Sequence, residues 1–343
     1  MNHSRFQNIL ASLPLSRIAV VGDFCLDRYL EIDPARAEIS IETGLEVHNV
    51  TNVRSQPGAA GTILNNLVEI GVSEIYPVGF CGEDGEGYEL LDALRALPGV
   101  QSDHFLQTEE RRTFTYCKPL VLVPGQPPRE LNRLDSKNWS PTPESVSQQI
   151  VASLETVAEF ADAVIIMDQA GVPETGVVTA SVRTALERIA LARPQLLMLA
   201  DSRRGLKNFP PVCLKMNECE LLSLTGAGAD RIDQIKAATS SLAVRQKRFV
   251  FVTLAERGIV GAAPDGEVEH VPAFATRGEI DIVGAGDAVT ANLTATLAAG
   301  ATLREALEIA MAAASIVIHQ LGTTGTATMK QIRALMFPEL KRH

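Results

Sequence analysis

The first clear run of apolar positions is "RIAVVGD", Arg17 to Asp23, which is short, rich in valine and ends on Gly-Asp. A parallel strand buried on both faces has this form, delivering polar residues at its carboxyl end. The segment from Tyr29 to Val53 is charged, partly alternating and β-branched, which predicts exposed strands projecting from the main body. From Pro57 the pattern changes. It predicts a helix over "GAAGTILNNLVEIG", a strand at "EIYPVGF" and a helix over "GEGYELLDALRAL". A second β-rich stretch, "RTFTYCKPLVLV", precedes a Pro-rich turn and "RELNRLD".

The second half alternates more regularly. Strands are predicted at "DAVIIMD", ending in Asp168, at "QLLMLAD", ending in Asp201, and at "PVCLKMN", ending in Asn217. A helix is expected over "TGVVTASVRTALERIALA", two strands with a turn at Gly258 over "RFVFVTLAERGIVGAAPDG", and mostly helix from Gly284 to Leu335. Strands alternating with helices imply an α/β architecture, a largely parallel sheet covered on both faces. Asp23, Asp168, Asp201 and Asn217 then gather along one sheet edge, where open α/β sheets hold ligands. Each of the four also has an ordinary use as a turn or helix-cap residue.

Composition narrows the picture. The 343 residues carry a net charge of −10, which argues against general binding of nucleic acid or an anionic membrane. The five cysteines are scattered without a CxxC pair, as expected of reduced thiols in a cytoplasmic protein. No stretch offers the roughly 20 apolar residues of a spanning helix. With no linker, repeat or low-complexity segment, one domain over 1–343 is expected.

Two strings contain Gly-Ala-Gly. In "EIDIVGAGDAVTANLTATLAAG", Gly284, Ala285 and Gly286 open a helix, leaving backbone amides and the helix dipole free for an anion. Asp287 repels an anion but accepts a proton from a hydroxyl aligned against it; together they form the minimal equipment for phosphoryl transfer to an alcohol. The alternative stands beside it: Asp287 caps the helix and the glycines allow close packing. "LTGAGAD" follows a helix instead, so Gly226 reads as a helix C-cap and Asp230 as the N-cap of the next helix.

"DIVGAGDA" resembles the DTxGAGD signature of the ribokinase-like (PfkB) carbohydrate kinases. "VVGDFCLDRYL" is similar to that family's opening strand and sugar-binding aspartate, "GFCGEDGEG" to its GxDxxG turn, "NECE" to its NxxE motif and "HQLGTTGT" to its C-terminal loop. The matches run in family order from about residue 17 to 326. "GDFCLDRYL", "EISIETGLEV", "ELNRLD" and "LGTTGT" look most like the heptose-7-phosphate kinases. The resemblance implies a three-layer α/β/α sandwich with a small β-sheet lid, which in relatives often mediates dimerisation; the segments 29–53 and 112–134 suit that lid.

It also implies ATP and Mg²⁺ as reaction partners and a sugar or sugar phosphate as acceptor. Asp287 would be the general base, with Gly284, Ala285 and Gly286 as the anion hole. Asp27, Gly58, Thr62 and Arg133 would meet the sugar. Asn217 and Glu220 would position Mg²⁺ indirectly, Thr253 and Gly258 would lie by the nucleotide, and Asp281 falls where some relatives bind potassium.

The chain also departs from the family pattern. Ala59 replaces a glycine, Thr62 an asparagine that touches the sugar, Ile282 a threonine, and Met311 an asparagine near the adenine. Ala255 replaces a glycine and is expected to restrict the backbone beside the phosphates. Tyr116 and Lys118 stand where heptose kinases carry lysine and arginine, leaving Lys118, Arg133, Arg203 and Arg204 as the basic residues nearest a substrate phosphate. A nucleoside kinase of the same fold, or a binding protein without catalysis, remain alternative readings.

Overall fold

A computed structural model describes residues 1–226 and 231–338. Its frame is a nine-stranded sheet in the order Val268–Val271, Ile259–Ala262, Val250–Thr253, Cys213–Asn217, Leu197–Ser202, Ala163–Asp168, Arg17–Gly22, Glu74–Gly82 and Phe105–Thr108. The pairings from Val250–Thr253 onward are parallel, and the first two strands add antiparallel at the edge.

Alternation along the strands sorts the core into two sides. Ala19, Val21, Val164 and Ile166 pack with Ile150 and Leu154 of helix Glu144–Phe160 and Val182 of helix Ala180–Ala192. Ile18, Val20, Ala163 and Ile165 pack with Ile63 and Leu67 of helix Ala60–Glu69 and Ala291 of helix Ala285–Ala298. The expected three-layer sandwich is what forms. Both β-rich segments contribute to a second sheet, ordered Leu134–Ser136, Phe114–Val121, Phe24–Ile32 and Val50–Ala59, with Arg129–Glu130 added to Phe114–Val121.

Four elements lie outside the sequence-based expectations: helix His3–Ser12, helix Glu144–Phe160 and strands Phe105–Thr108 and Val268–Val271. The long helix did carry a signal, since Val146, Ile150, Leu154 and Val157 recur at helical spacing and are all buried. Gly226 ends its helix in the left-handed conformation at φ 67°, donating to the Leu222 carbonyl at 2.8 Å, as expected of a C-cap. Asp230 lies outside the described residues; the following helix, Ile232–Gln246, has Arg231 at its N-cap.

The four polar strand ends do gather at the carboxyl edge, offset from one another in register, with Asp201 opposite Met167 and Asp168 opposite Ser202, but internal bonds occupy them. Asp168 accepts both Arg204 Nη2 contacts, at 2.8 and 2.9 Å, and the Ser202 hydroxyl at 2.7 Å. Asp23 sits at the junction where the chain leaves the large sheet for the small one. Its N–H donates to the Met167 carbonyl at 3.0 Å, and its carbonyl accepts from Ala60, the first residue of a helix. Its buried carboxylate accepts the N–H groups of Gln169, Ala170 and Val177 at 2.8, 2.6 and 2.6 Å. Burial, then the charge of Asp168, raise its pKa to about 6. Asp23→Ala would strand three N–H groups, and an unmet buried donor costs roughly 1–3 kcal/mol. The expected result is a fall of about 3 kcal/mol or more in unfolding free energy, read from urea midpoints, with Asp23→Asn losing less.

Candidate active site

The helix Ala285–Ala298 is rich in alanine and threonine, opens on Ala-Gly and is buried between the helices Ala60–Glu69 and Leu303–Val317. Its threonines tolerate burial because each hydroxyl returns a bond one turn back: Thr290 to the Gly286 carbonyl at 3.0 Å, Thr294 to Thr290 at 2.9 Å, Thr296 to Asn292 at 2.6 Å. Gly284 caps this helix at φ 81°, and a Cβ there would meet the Thr324 methyl at 2.8 Å. Both constraints demand glycine. The Ala285 N–H closes a turn onto the Ile282 carbonyl at 3.2 Å, which leaves the next first-turn amides as the anion-seeking end of the helix. Ala285 and Gly286 line a cleft of about 760 Å³.

Asp287, on the same turn, lies within electrostatic reach of strand Phe24–Ile32: its charge raises the pKa of the Cys25 thiol, and the Asp27 carboxylate raises that of Asp287. The residue is half-buried: solvent still reaches part of it, while protein surrounds its carboxyl closely enough for desolvation to dominate its chemistry. That desolvation, reinforced by the Asp201 carboxylate and opposed by Lys215, lifts the Asp287 pKa to about 7. Lys215 is buried in strand Cys213–Asn217, and its ammonium donates to Asp201 at 2.8 Å. Thr290 donates to the same oxygen at 3.2 Å. Burial works against the Lys215 ammonium, but the charge and hydrogen bond of Asp201 outweigh it and hold its pKa above that of an ordinary lysine.

On the far side of Asp287, strand Phe24–Ile32 presents Asp27. The strand Val50–Ala59 backs onto it at Gly58, where a Cβ would meet the Asp27 carboxyl carbon at 2.8 Å. Asp27 pairs with Lys118 at 3.3 Å and accepts from Thr324 at 3.2 Å. Lys118 also bonds the Tyr29 hydroxyl at 3.3 Å and lies over its ring. Thr62, on helix Ala60–Glu69, is buried and approaches Gly284. Arg133 stands apart from this group: it is exposed, forks onto Asp135 at 2.7 and 2.8 Å and stacks over Tyr116, the register neighbour of Asp27.

Asn217, Thr253, Gly258, Ile282 and Met311 line the cleft. Asn217 and Glu220 lock each other in a capping box, at 2.9 and 2.7 Å, which consumes the Asn217 carboxamide oxygen and one Glu220 oxygen. Burial, with Asp201 adding to it, lifts the Glu220 pKa above the usual carboxylate range. Asp281 accepts from Val283 N–H at 3.0 Å in the turn leading to Gly284. At the cleft, Ala255 adopts φ 51°, and Ala59, before helix Ala60–Glu69, adopts φ 54°. Ala255 thus holds the positive φ that favours glycine, at an energetic cost.

The family description "pfkB family carbohydrate kinase" matches residues 16–329. The chain belongs to that family. It is 30% identical over 330 residues to the Bifunctional protein HldE of Azorhizobium caulinodans, covering 96% of this chain and 66% of that protein. A Shewanella protein of the same name (strain MR-4) is 28% identical, covering 95% of this chain and 65% of its own length. The chain thus spans about two thirds of the length of these relatives, and the resemblance read from its motifs holds at that level. The fold is shared with Arabidopsis thaliana ribokinase complexed with ribose and ATP, at TM-score 0.65 and 20% identity over 94% of this chain and 98% of the other. It is shared also with Escherichia coli phosphofructokinase-2 in complex with potassium, at TM-score 0.69 and 18% identity over 95% and 99%.

Sequence reasoning missed Lys215, Thr324 and Tyr29 as members of this site. Lys215 had a signal, a lone cation inside the apolar strand "CLKMN"; Thr324 lay unremarked within the quoted "LGTTGT". Two outcomes follow from the strained and desolvated groups. Asp287 has a folded pKa near 7 against an ordinary value near 3.8, so the folded state binds more protons between those limits and stability falls as pH rises through that window. Asp287→Asn abolishes the loss. Its urea midpoint is expected to exceed that of the parent at pH 8, by more than about 1 kcal/mol in free energy, and to converge with it near pH 4. Ala255 is exposed, so Ala255→Gly relieves backbone strain without losing packing; a gain of about 0.5–1 kcal/mol is expected in the same assay.

Proposed function

We propose that this chain transfers the γ-phosphoryl group of ATP to a hydroxyl of a sugar or sugar phosphate. The observation that carries the reading is the position of Asp287, between the amide-lined cleft at Gly286 and the Asp27 group, with a pKa of about 7. A base with that pKa is matched to neutral pH. In this reading the nucleotide lies along Thr253 and Gly258, with its terminal phosphate at the Gly284, Ala285 and Gly286 turn. Asp27 accepts hydrogen bonds from the acceptor sugar beside Gly58 and Thr62, while Lys118 and, at the rim, Arg133 offer charge to a phosphorylated acceptor. Heptose 7-phosphate is one such acceptor.

Asp287 takes the proton from the acceptor hydroxyl as its oxygen bonds to phosphorus. The bond from phosphorus to the ADP oxygen breaks, and the first-turn amides hold the charge on the equatorial oxygens. Mg²⁺ on the nucleotide phosphates would supply charge neutralisation. The residues suit indirect binding: Asn217 and Glu220 are spent on each other, leaving one Glu220 oxygen for a metal-bound water, and no cluster of three metal-ligating side chains occurs among the described residues. Potassium at Asp281 belongs to the same proposal. So does a homodimer through the small sheet and the neighbouring two-stranded hairpin, supported by exposed Val50 and Val53 on strand Val50–Ala59 and by exposed Ile39, Ile41 and Leu45 in the hairpin of Glu38–Ile39 with Glu46–Val47. No helix among the described residues is long and apolar enough to cross a membrane, and a cytoplasmic location is proposed.

The reading without catalysis rests on Thr62, Ala255 and Met311, and of these Ala255 keeps the positive φ that glycine favours. The test is ADP release from Mg²⁺-ATP against sugars, sugar phosphates and nucleosides, with and without potassium. Turnover is expected with a sugar or sugar phosphate, rising with pH through about 7 as Asp287 loses its proton. Asp287→Asn should lower kcat by roughly 10³-fold while sparing nucleotide binding. Unchanged turnover in that variant would sink the assignment, and preference for a nucleoside would replace the acceptor class.

A further inference from the structure

Lys215 is a charged residue in the middle of a buried parallel strand, between Leu214 and Met216, and is 7% exposed. A buried ion pair is commonly no better for stability than two well-packed apolar residues, so its presence with Asp201 asks for a reason beyond folding. The geometry around Gly286 supplies one. A Cβ built on Gly286 would lie 3.0 Å from the Lys215 ammonium nitrogen. Glycine is therefore what admits the ammonium to the first turn of helix Ala285–Ala298, beside the amides and Asp287. Asp201 accepts a hydrogen bond from one of its three N–H groups and is itself steadied by the Thr290 hydroxyl, from one turn further along the same helix.

We propose that Lys215 is a further catalytic residue, whose ammonium joins the first-turn amides in binding the phosphoryl group during transfer, with Asp201 and Thr290 positioning it. This rests on the functional reading above. Lys215 neither gives nor takes a proton: the acceptor proton goes to Asp287, and the electron pair of the broken bond leaves with ADP. Its contribution is positive charge at the turn whose amides hold the equatorial oxygens. The alternative is that Lys215 only neutralises Asp201.

The two roles separate in a double variant. Lys215→Met leaves Asp201 unpaired, while Lys215→Met with Asp201→Asn removes both charges and restores neutrality. Calorimetric titration of the full chain with Mg²⁺-ADP, and then with Mg²⁺-ADP plus aluminium fluoride, which mimics the transferring phosphoryl group, reads the effect without an identified acceptor. The parent is expected to bind the aluminium fluoride complex more tightly than ADP. Lys215→Met and the double variant should both lose about a hundredfold of that preference, with ADP affinity and thermal melting of the double variant unchanged. Recovery of the full preference in the double variant would reduce Lys215 to a structural counter-ion and overturn the inference, leaving the functional reading intact. A parent that shows no preference would overturn both.

Discussion

The site depends first on the Asp23 carboxylate. One residue joins the large sheet to the small one, receives the first N–H of helix Ala60–Glu69 on its carbonyl and ties down the loop from Gln169 to Val177. Because strand Phe24–Ile32 starts from this point, the direction in which Asp27 faces the large sheet is set four residues earlier. Close approach tightens the same region: Cβ atoms at Gly176 and Gly58 would meet the carboxyl groups of Asp23 and Asp27 within 3 Å. The strand that carries Asp27 is thus anchored by backbone N–H groups on the Asp23 carboxylate, while Asp27 itself is held by the Lys118 and Thr324 side chains.

On the catalytic side the constraint is electrostatic. The Asp201 carboxylate raises the pKa of both Asp287 and Glu220, and the Lys215 ammonium opposes it in each. A fold selected for stability alone has little use for such a group. The carboxyl pushed to about 7 costs the fold stability as it ionises near neutrality, and the same shift is what the proposed base would use. The helix behind it resolves its own conflict differently. Small side chains and threonines bonded back to their own backbone allow burial on every side, so the first turn is fixed by packing while its amides stay open to the cleft.

Much of the large sheet was legible because buried parallel strands write themselves as apolar runs with polar ends, as at Arg17–Gly22 and Ala163–Asp168. Helix Ala285–Ala298 and its Gly-Ala-Gly start were legible too, through spacing and glycine. Strand Val268–Val271 was not, because "VEHV" is short and half charged, and its pairing with Ile259–Ala262 is a tertiary fact. The partners of the site residues were hidden for the same reason. Nothing in local sequence says that Lys118, 91 positions after Asp27, is its ion-pair partner, or that Thr324 reaches Asp27 across 297 positions.

The substitutions away from the family pattern show how little a motif letter reveals of its backbone. At Ala59 and Ala255 the sequence suggests altered loops, yet φ values of 54° and 51° put the methyl groups in the region that glycine normally fills. An L-residue there costs roughly 1–2 kcal/mol, a sum that the pairing of strand Val50–Ala59 and the turn bonds from Leu254 to Gly258 can outweigh. The surrounding hydrogen bonds therefore dictate the loop conformation, and the alanine is carried in it. The side-chain changes are of another kind. Thr62 is buried beside Gly284 and Met311 lines the cleft, so these two replace side chains at the site itself and place no strain on the backbone of the kind that Ala59 and Ala255 carry.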